Sequence, residues 1–173
     1  MRARVIFGGL ALVVVALVVL IVQKELVLAR GTLVLLELAP VDPRSLMQGD
    51  YMVLDYAVSR EARLQQESGQ GRLVLRLDEN GVGRFVRIDV PGTPLAPGEL
   101  LLRYKVRKDH VRLGAESFFF QEGHADRYAR AKYGELRVNG QGASVLVGLR
   151  NAQRQPLGTV DEPVPTEELP SSP

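Results

Sequence analysis

The sequence predicts a mainly β fold: a small antiparallel β barrel or sandwich with one short helix, tethered by an N-terminal transmembrane helix. Three observations predict it. The first is the run Val5 to Val22, VIFGGLALVVVALVVLIV, eighteen residues without a charge. The second is a series of short stretches in which residues alternate with period two, the pattern of strands with one buried face. The third is a set of glycine-containing turn signals between those stretches, Asp78-Glu79-Asn80-Gly81 and Asn139-Gly140-Gln141-Gly142 above all.

The apolar run comes first in the chain. As a helix it extends about 27 Å at ~1.5 Å per residue, close to the hydrocarbon thickness of a bilayer. Residues 1–23 therefore read as a membrane anchor that contacts lipid through residues 5–22. Arg2 and Arg4 precede the run, and basic flanks stay on the cytoplasmic side. The expected topology is a single pass through the cytoplasmic (inner) membrane, N-terminus in, with the following domain on the extracytoplasmic side. A cleaved signal peptide ending at Val27-Leu28-Ala29 competes with this reading, but a cleavable apolar core is usually about 7–15 residues. A soluble helix would show a polar face, and this run has none. Residues 24–31 extend the helix or link it to the domain, and Gly31 stops it.

Residues 32–155 carry the strand signals. Thr32 to Leu38 is apolar and ends at Ala39-Pro40. The approach PVDPRSLMQGD, with two prolines and a Gly-Asp, predicts a loop with one helical turn at Ser45 to Gln48. In the stretch that follows, Met52, Leu54, Tyr56 and Val58 share one face of a strand while Tyr51, Val53 and Asp55 share the other. Leu73 to Leu77 and Val82 to Ile88 flank the Asn80-Gly81 turn. Leu100, Leu102, Tyr104 and Val106 alternate with Leu101, Arg103, Lys105 and Arg107, one buried face and one wet face. A helix is expected over His124 to Tyr133, HADRYARAKY, with Ala125, Tyr128, Ala129 and Lys132 on one side. Glu135 to Val138 and Ser144 to Leu149 complete a total of seven to nine strands. Residues 156–173, with five prolines and four acidic groups, read as a disordered acidic Pro-rich tail.

Composition narrows the chemistry. The chain has no cysteine, which excludes disulfides, thiol catalysis and Cys-ligated metal. Residues 24–155 carry 20 Lys and Arg against 16 Asp and Glu. No basic run is interleaved with stacking aromatics, so no nucleic acid partner is expected, whereas weak attraction to anionic lipid headgroups is. No phosphate-binding glycine loop or Gly-x-Ser-x-Gly elbow is present, and no cofactor is expected. His110 and His124 stand near Asp109, Glu116, Glu122 and Asp126 in sequence, without the spacing of a paired-histidine metal site. Phe118-Phe119-Phe120 is the densest aromatic stretch. If Phe118 and Phe120 enter the core, Phe119 lies outside, where it could dock a partner.

The stretch MQGDYMVLDY, Met47 to Tyr56, sets a turn against a strand whose Tyr56 is expected to anchor the core. Its Gly49, Asp50, Tyr51, Leu54 and Tyr56 resemble the defining motif of the bacterial GDYXXLXY proteins. A second block, LGAESFFFQEG, is similar to that family's Tyr-Gly-Ile-Glu-Ser-Tyr-Phe-Val-Pro-Glu-Gly-like run through Gly114, Glu116, Ser117, Phe119, Glu122 and Gly123. Leu113, Ala115 and Gln121 depart from it. The resemblance covers the anchor and nearly everything to about residue 150. It implies a membrane-anchored extracytoplasmic protein, often encoded beside multi-spanning membrane proteins, and it supplies no reaction.

The expected function is therefore that of an accessory or interaction protein working with a membrane protein partner, not an enzyme. The alternative is a signal-peptidase-like hydrolase in which Lys105, kept neutral by burial, activates Ser45. Two features weigh against it: the nucleophile position of such enzymes falls on Val41, and Lys105 sits on the charged face of its strand.

Overall fold

The computed structural model describes residues 2–39, 47–48, 51–64, 69–107, 110–121 and 124–158. Helix α1 runs from Arg2 to Arg30, and its Ile6–Arg30 portion is long and apolar enough to cross a membrane. Gly31 ends it as expected. Its N–H closes the last turn on the Val27 carbonyl at 2.8 Å, and a Cβ there would run into that same oxygen. Strand β1, Thr32–Glu37, begins one residue later.

Among the described residues three antiparallel sheets, sandwich-like and without a closed barrel, surround one core. The first places β9 (Tyr133–Val138) between β1 and β10 (Ser144–Arg150). The second orders β2 (Met47–Gln48), β3 (Tyr51–Val53) and β8 (Ser117–Phe119). The third runs β5-β4-β6-β7, where β4 is Gly69–Leu77, β5 Gly83–Ile88, β6 Glu99–Arg107 and β7 His110–Arg112. All three sheets feed the core: Val34, Leu36, Leu136 and Leu149 from the first, Met52 from the second, Leu73, Leu75 and Leu102 from the third. The first and third sheets meet where β1 approaches β5. There Gly83 leaves room that Val34, Leu36 and Leu75 occupy, since a Cβ would lie 3.1–3.2 Å from them.

The two expected glycine turns share one hydrogen-bond plan. Asp78 Oδ1 accepts from the N–H of Asn80 and Val82, and Asn139 Oδ1 accepts from those of Gln141 and Ala143. In each, the fourth residue is a left-handed glycine, Gly81 at φ 75° or Gly142 at φ 80°. Those backbone donors hold the Asp78 carboxyl below its ordinary value, with Arg84 adding to the effect. A third turn of related plan, at Asn151, was not foreseen: Asn151 Oδ1 accepts from Gln155 N–H and Arg154 N–H donates to the Asn151 carbonyl. Here the left-handed position is Arg154, at φ 63°. A side chain there costs about 1–2 kcal/mol, partly offset by the entropy that glycine would lose. Arg154→Gly is expected to stabilise by about 0.5 kcal/mol or more in a denaturation titration, because the Arg150 side chain holds only the Arg154 carbonyl, which remains.

Several boundaries differ from expectation. Past Val53 the chain leaves the β8 ladder, although burial keeps alternating, with Met52, Leu54, Tyr56 and Val58 all inside. The segment changes neighbours: Leu54 N–H donates to Glu116, Asp55 accepts from Ala39 N–H, and Tyr56 bridges Leu38. A short helix α2, Ala57–Glu61, then turns the chain away. Met47 and Gln48 form a strand rather than a helical turn, while 40–46 lie outside the described residues. The helix expected to reach Tyr133 is only Ala125–Tyr128, α3. Lys132 is captured by sheet one, donating its N–H to Arg150 and accepting from Leu38. The domain also continues past 155, since Pro156 pairs with Arg150 and Leu157 is buried. Residues 159–173 lie outside the described residues.

Candidate functional site

The two sequence blocks, about sixty residues apart, are neighbours in space. Strand β3 of the first lies antiparallel to β8 of the second in the register Tyr51↔Phe119, Met52↔Phe118, Val53↔Ser117. Tyr51 and Phe119 point outward together, their ring centroids 5.7 Å apart, and Phe119 is 74% exposed. Phe118 and Phe120 turn the other way onto Tyr128 of α3, at 4.9 and 5.3 Å. Alternation thus sorts the three phenylalanines as the sequence suggests.

Beyond the strands the blocks are locked by hydrogen bonds. Tyr56, fully buried, donates its hydroxyl to the Ala115 carbonyl at 2.7 Å. Burial, reinforced by the nearby Glu116 carboxylate, pushes its ionisation far above the ordinary tyrosine value, so the hydroxyl stays a donor. Glu116 Oε1 accepts from Gly114 N–H at 2.6 Å, and Gly114 adopts φ 84°. Ser144 donates its hydroxyl to the Leu113 carbonyl, and a Cβ on Gly114 would come within 2.9 Å of that Ser144 oxygen. Tyr51, Leu54, Tyr56, Gly114, Glu116 and Phe119 therefore form a clasp. Gly49, Asp50, Glu122 and Gly123 lie outside the described residues.

The second block also walls a hollow of about 670 Å³. Arg72 on β4, Arg103 and Lys105 on β6, Arg112 on β7 and Lys24 on α1 line it, with Glu116 as the acid on its wall. Arg72 is engaged by Asp89 at 2.8 Å, and Arg103 donates through Nε to the Gln141 carbonyl. The side chains of Lys24, Lys105 and Arg112 make no hydrogen bond or ion pair among the described residues. Lys105 is exposed, as are Arg103 and Arg107 on the same strand face. Ser45 lies outside the described residues. What sequence reasoning missed is this groove, because its cations come from four separate elements and only the folded chain brings them together.

Neither histidine lines it. His110 is exposed and borders a smaller hollow with Asp55, Arg60 and Glu116, where Asp55 is held by Arg60 at 2.7 Å. His124 is half-buried beside α3. Among the described residues no three His, Asp or Glu side chains converge as a metal site would require.

Comparison with known proteins decides the family. The family model described as GDYXXLXY protein matches residues 13–149, from the middle of α1 to the end of β10. The chain belongs to the GDYXXLXY protein family. The match joins the two blocks, the helix and all three sheets in one unit, so the clasp is the part of this GDYXXLXY protein that gives the motif a physical meaning. Searches of curated proteins and of solved structures find no match to it.

Proposed function

We propose that this GDYXXLXY protein is a single-pass accessory protein of the cytoplasmic membrane, anchored by α1 with its β domain on the extracytoplasmic side, and that it docks to a multi-spanning membrane protein. The observation that carries the reading is the aromatic pair Phe119–Tyr51, held outward on a clasped strand pair with exposed Val53 beside it. A large aromatic left 74% exposed on a rigid strand is what a docking surface offers. The anchor supports it too. Val27 of α1 is buried, and Arg137 Nη1 donates to the Gly31 carbonyl, so helix and domain are joined without a slack linker.

The Ser45–Lys105 hydrolase is the weaker reading. It needs a lysine withdrawn from water, and Lys105 is exposed among other cations.

Two measurements on the same strain test the proposal. A reporter active only outside the cytoplasm, fused to the C-terminus, is expected to be active, and a silent reporter would reverse the topology. A photocrosslinking amino acid at position 119 is expected to trap an integral membrane protein in intact membranes, whereas the same probe at exposed Val147 traps none. Equal products from both positions would remove the docking role of Phe119.

A further inference from the structure

The cationic groove does not end at Lys24. A second hollow of about 630 Å³ shares Lys24, Arg103 and Ala143 with it and continues down α1 along Leu20, Leu26 and Val27. The two together form one amphipathic channel, basic where β4, β6 and β7 wall it and more apolar along α1, where Leu20, Leu26 and Val27 line it beside Gln23, Asn139 and Gln141. Leu20 lies two residues inside the run Val5–Val22 and Lys24 two residues beyond it, each about 3 Å of helix rise from the run's end. The channel therefore straddles the level at which hydrocarbon gives way to headgroups.

We infer that this channel is a binding site for one anionic phospholipid, its phosphate held by Lys24, Lys105 and Arg112 and its glycerol and upper acyl chain laid along Leu20 and Leu26. The charge is suited to it: Lys24, Lys105 and Arg112 are exposed cations whose side chains have no partner among the described residues, and the one carboxylate those residues place on the wall, Glu116, is engaged by Gly114 N–H. The apolar half distinguishes a lipid from soluble phosphate. A free anion would use the basic end alone, whereas Leu26, 47% exposed and four residues beyond the run, carries the apolar lining past the lipid-facing span. Basic groups at a membrane surface attract anionic lipid individually, and a preformed groove between α1, β4, β6 and β7 adds a fixed geometry to that attraction.

The inference rests on α1 being a membrane anchor, and the experiment separates the two. The full chain is reconstituted into nanodiscs of phosphatidylcholine, with or without phosphatidylglycerol, and each lipid is supplied in turn as a photoactivatable probe. Alkaline extraction of the source membranes reports the anchor by itself. If the chain is stripped from them, the anchored reading fails, and the lipid site with it. With the anchor retained, the phosphatidylglycerol probe is expected to label the chain well above the phosphatidylcholine probe. Lys105→Gln with Arg112→Gln should lower that labelling roughly tenfold or more, as loss of two surface cations predicts. Arg107→Gln, on the same strand face but outside the groove, should leave it unchanged, and Arg112→Lys should retain most of it. Labelling that is equal for both lipids, or unchanged in the double variant, overturns the site. Loss of labelling to excess inorganic phosphate overturns the lipid in favour of a soluble anion.

Discussion

Tyr56→Ala is expected to destabilise the domain by about 3–5 kcal/mol, the range for truncating a large buried aromatic side chain. The ring is fully buried where the end of the first motif block meets β1 and β9, so its removal leaves a cavity among groups drawn from several elements. Part of the loss is polar. The hydroxyl is the donor to the Ala115 carbonyl, and Tyr56→Phe leaves that oxygen buried without it, at a cost of about 1–3 kcal/mol. The neighbouring Asp55→Ala supplies the contrast. Its carboxylate meets Arg60 at 2.7 Å with both side chains well exposed, so the change should stay within about 0.5 kcal/mol. Urea unfolding of the full chain in mild detergent, followed by circular dichroism, ranks the three. If Tyr56→Ala proves as mild as Asp55→Ala, the last tyrosine of the motif is not a structural residue.

Much of this architecture is legible in the sequence because it is local. The apolar run declares α1, and Asp78 and Asn139 with their left-handed glycines declare two hairpins within a few residues. Alternation along β6 announces which side of that strand is wet. The same reasoning sorts Phe118, Phe119 and Phe120 correctly, since parity within a strand needs no knowledge of the partner.

What escapes is set by distant partners. Nothing near Val53 says that the strand must stop there; Leu54 N–H still reaches the Glu116 carbonyl, and Asp55 and Tyr56 then pair with Ala39 and Leu38, which are distant in sequence. Lys132 likewise favours helix by its neighbours and is taken by Leu38 and Arg150 instead. The pairing of the two motif blocks and the basic groove are of the same kind. Each is assembled from segments whose juxtaposition depends on sheet order, which periodicity does not encode. Arg154 hid the third turn, because the usual glycine is missing from it.

Gly134→Ala is the second large effect, and it tests the placement of Tyr56 from the opposite side. Gly134 sits in the middle strand of its sheet, between Leu36 and Leu149 in the register. In such a position glycine ordinarily weakens a strand, and alanine would be worth about 0.5–1 kcal/mol in its favour. Here a Cβ would come within 2.9 Å of both the ring and the hydroxyl oxygen of Tyr56. That ring cannot step aside, since it is enclosed on all sides and its hydroxyl is tied to Ala115. The substitution should therefore destabilise by about 1–3 kcal/mol, the cost of overpacking a filled core. In the Tyr56→Ala background the obstacle is gone, and the same change should become neutral or stabilising. A double-mutant cycle on unfolding free energies reads the reversal directly. Additive penalties would mean that Gly134 is required by something other than the tyrosine, and the placement of the Tyr56 ring against Gly134 would fall.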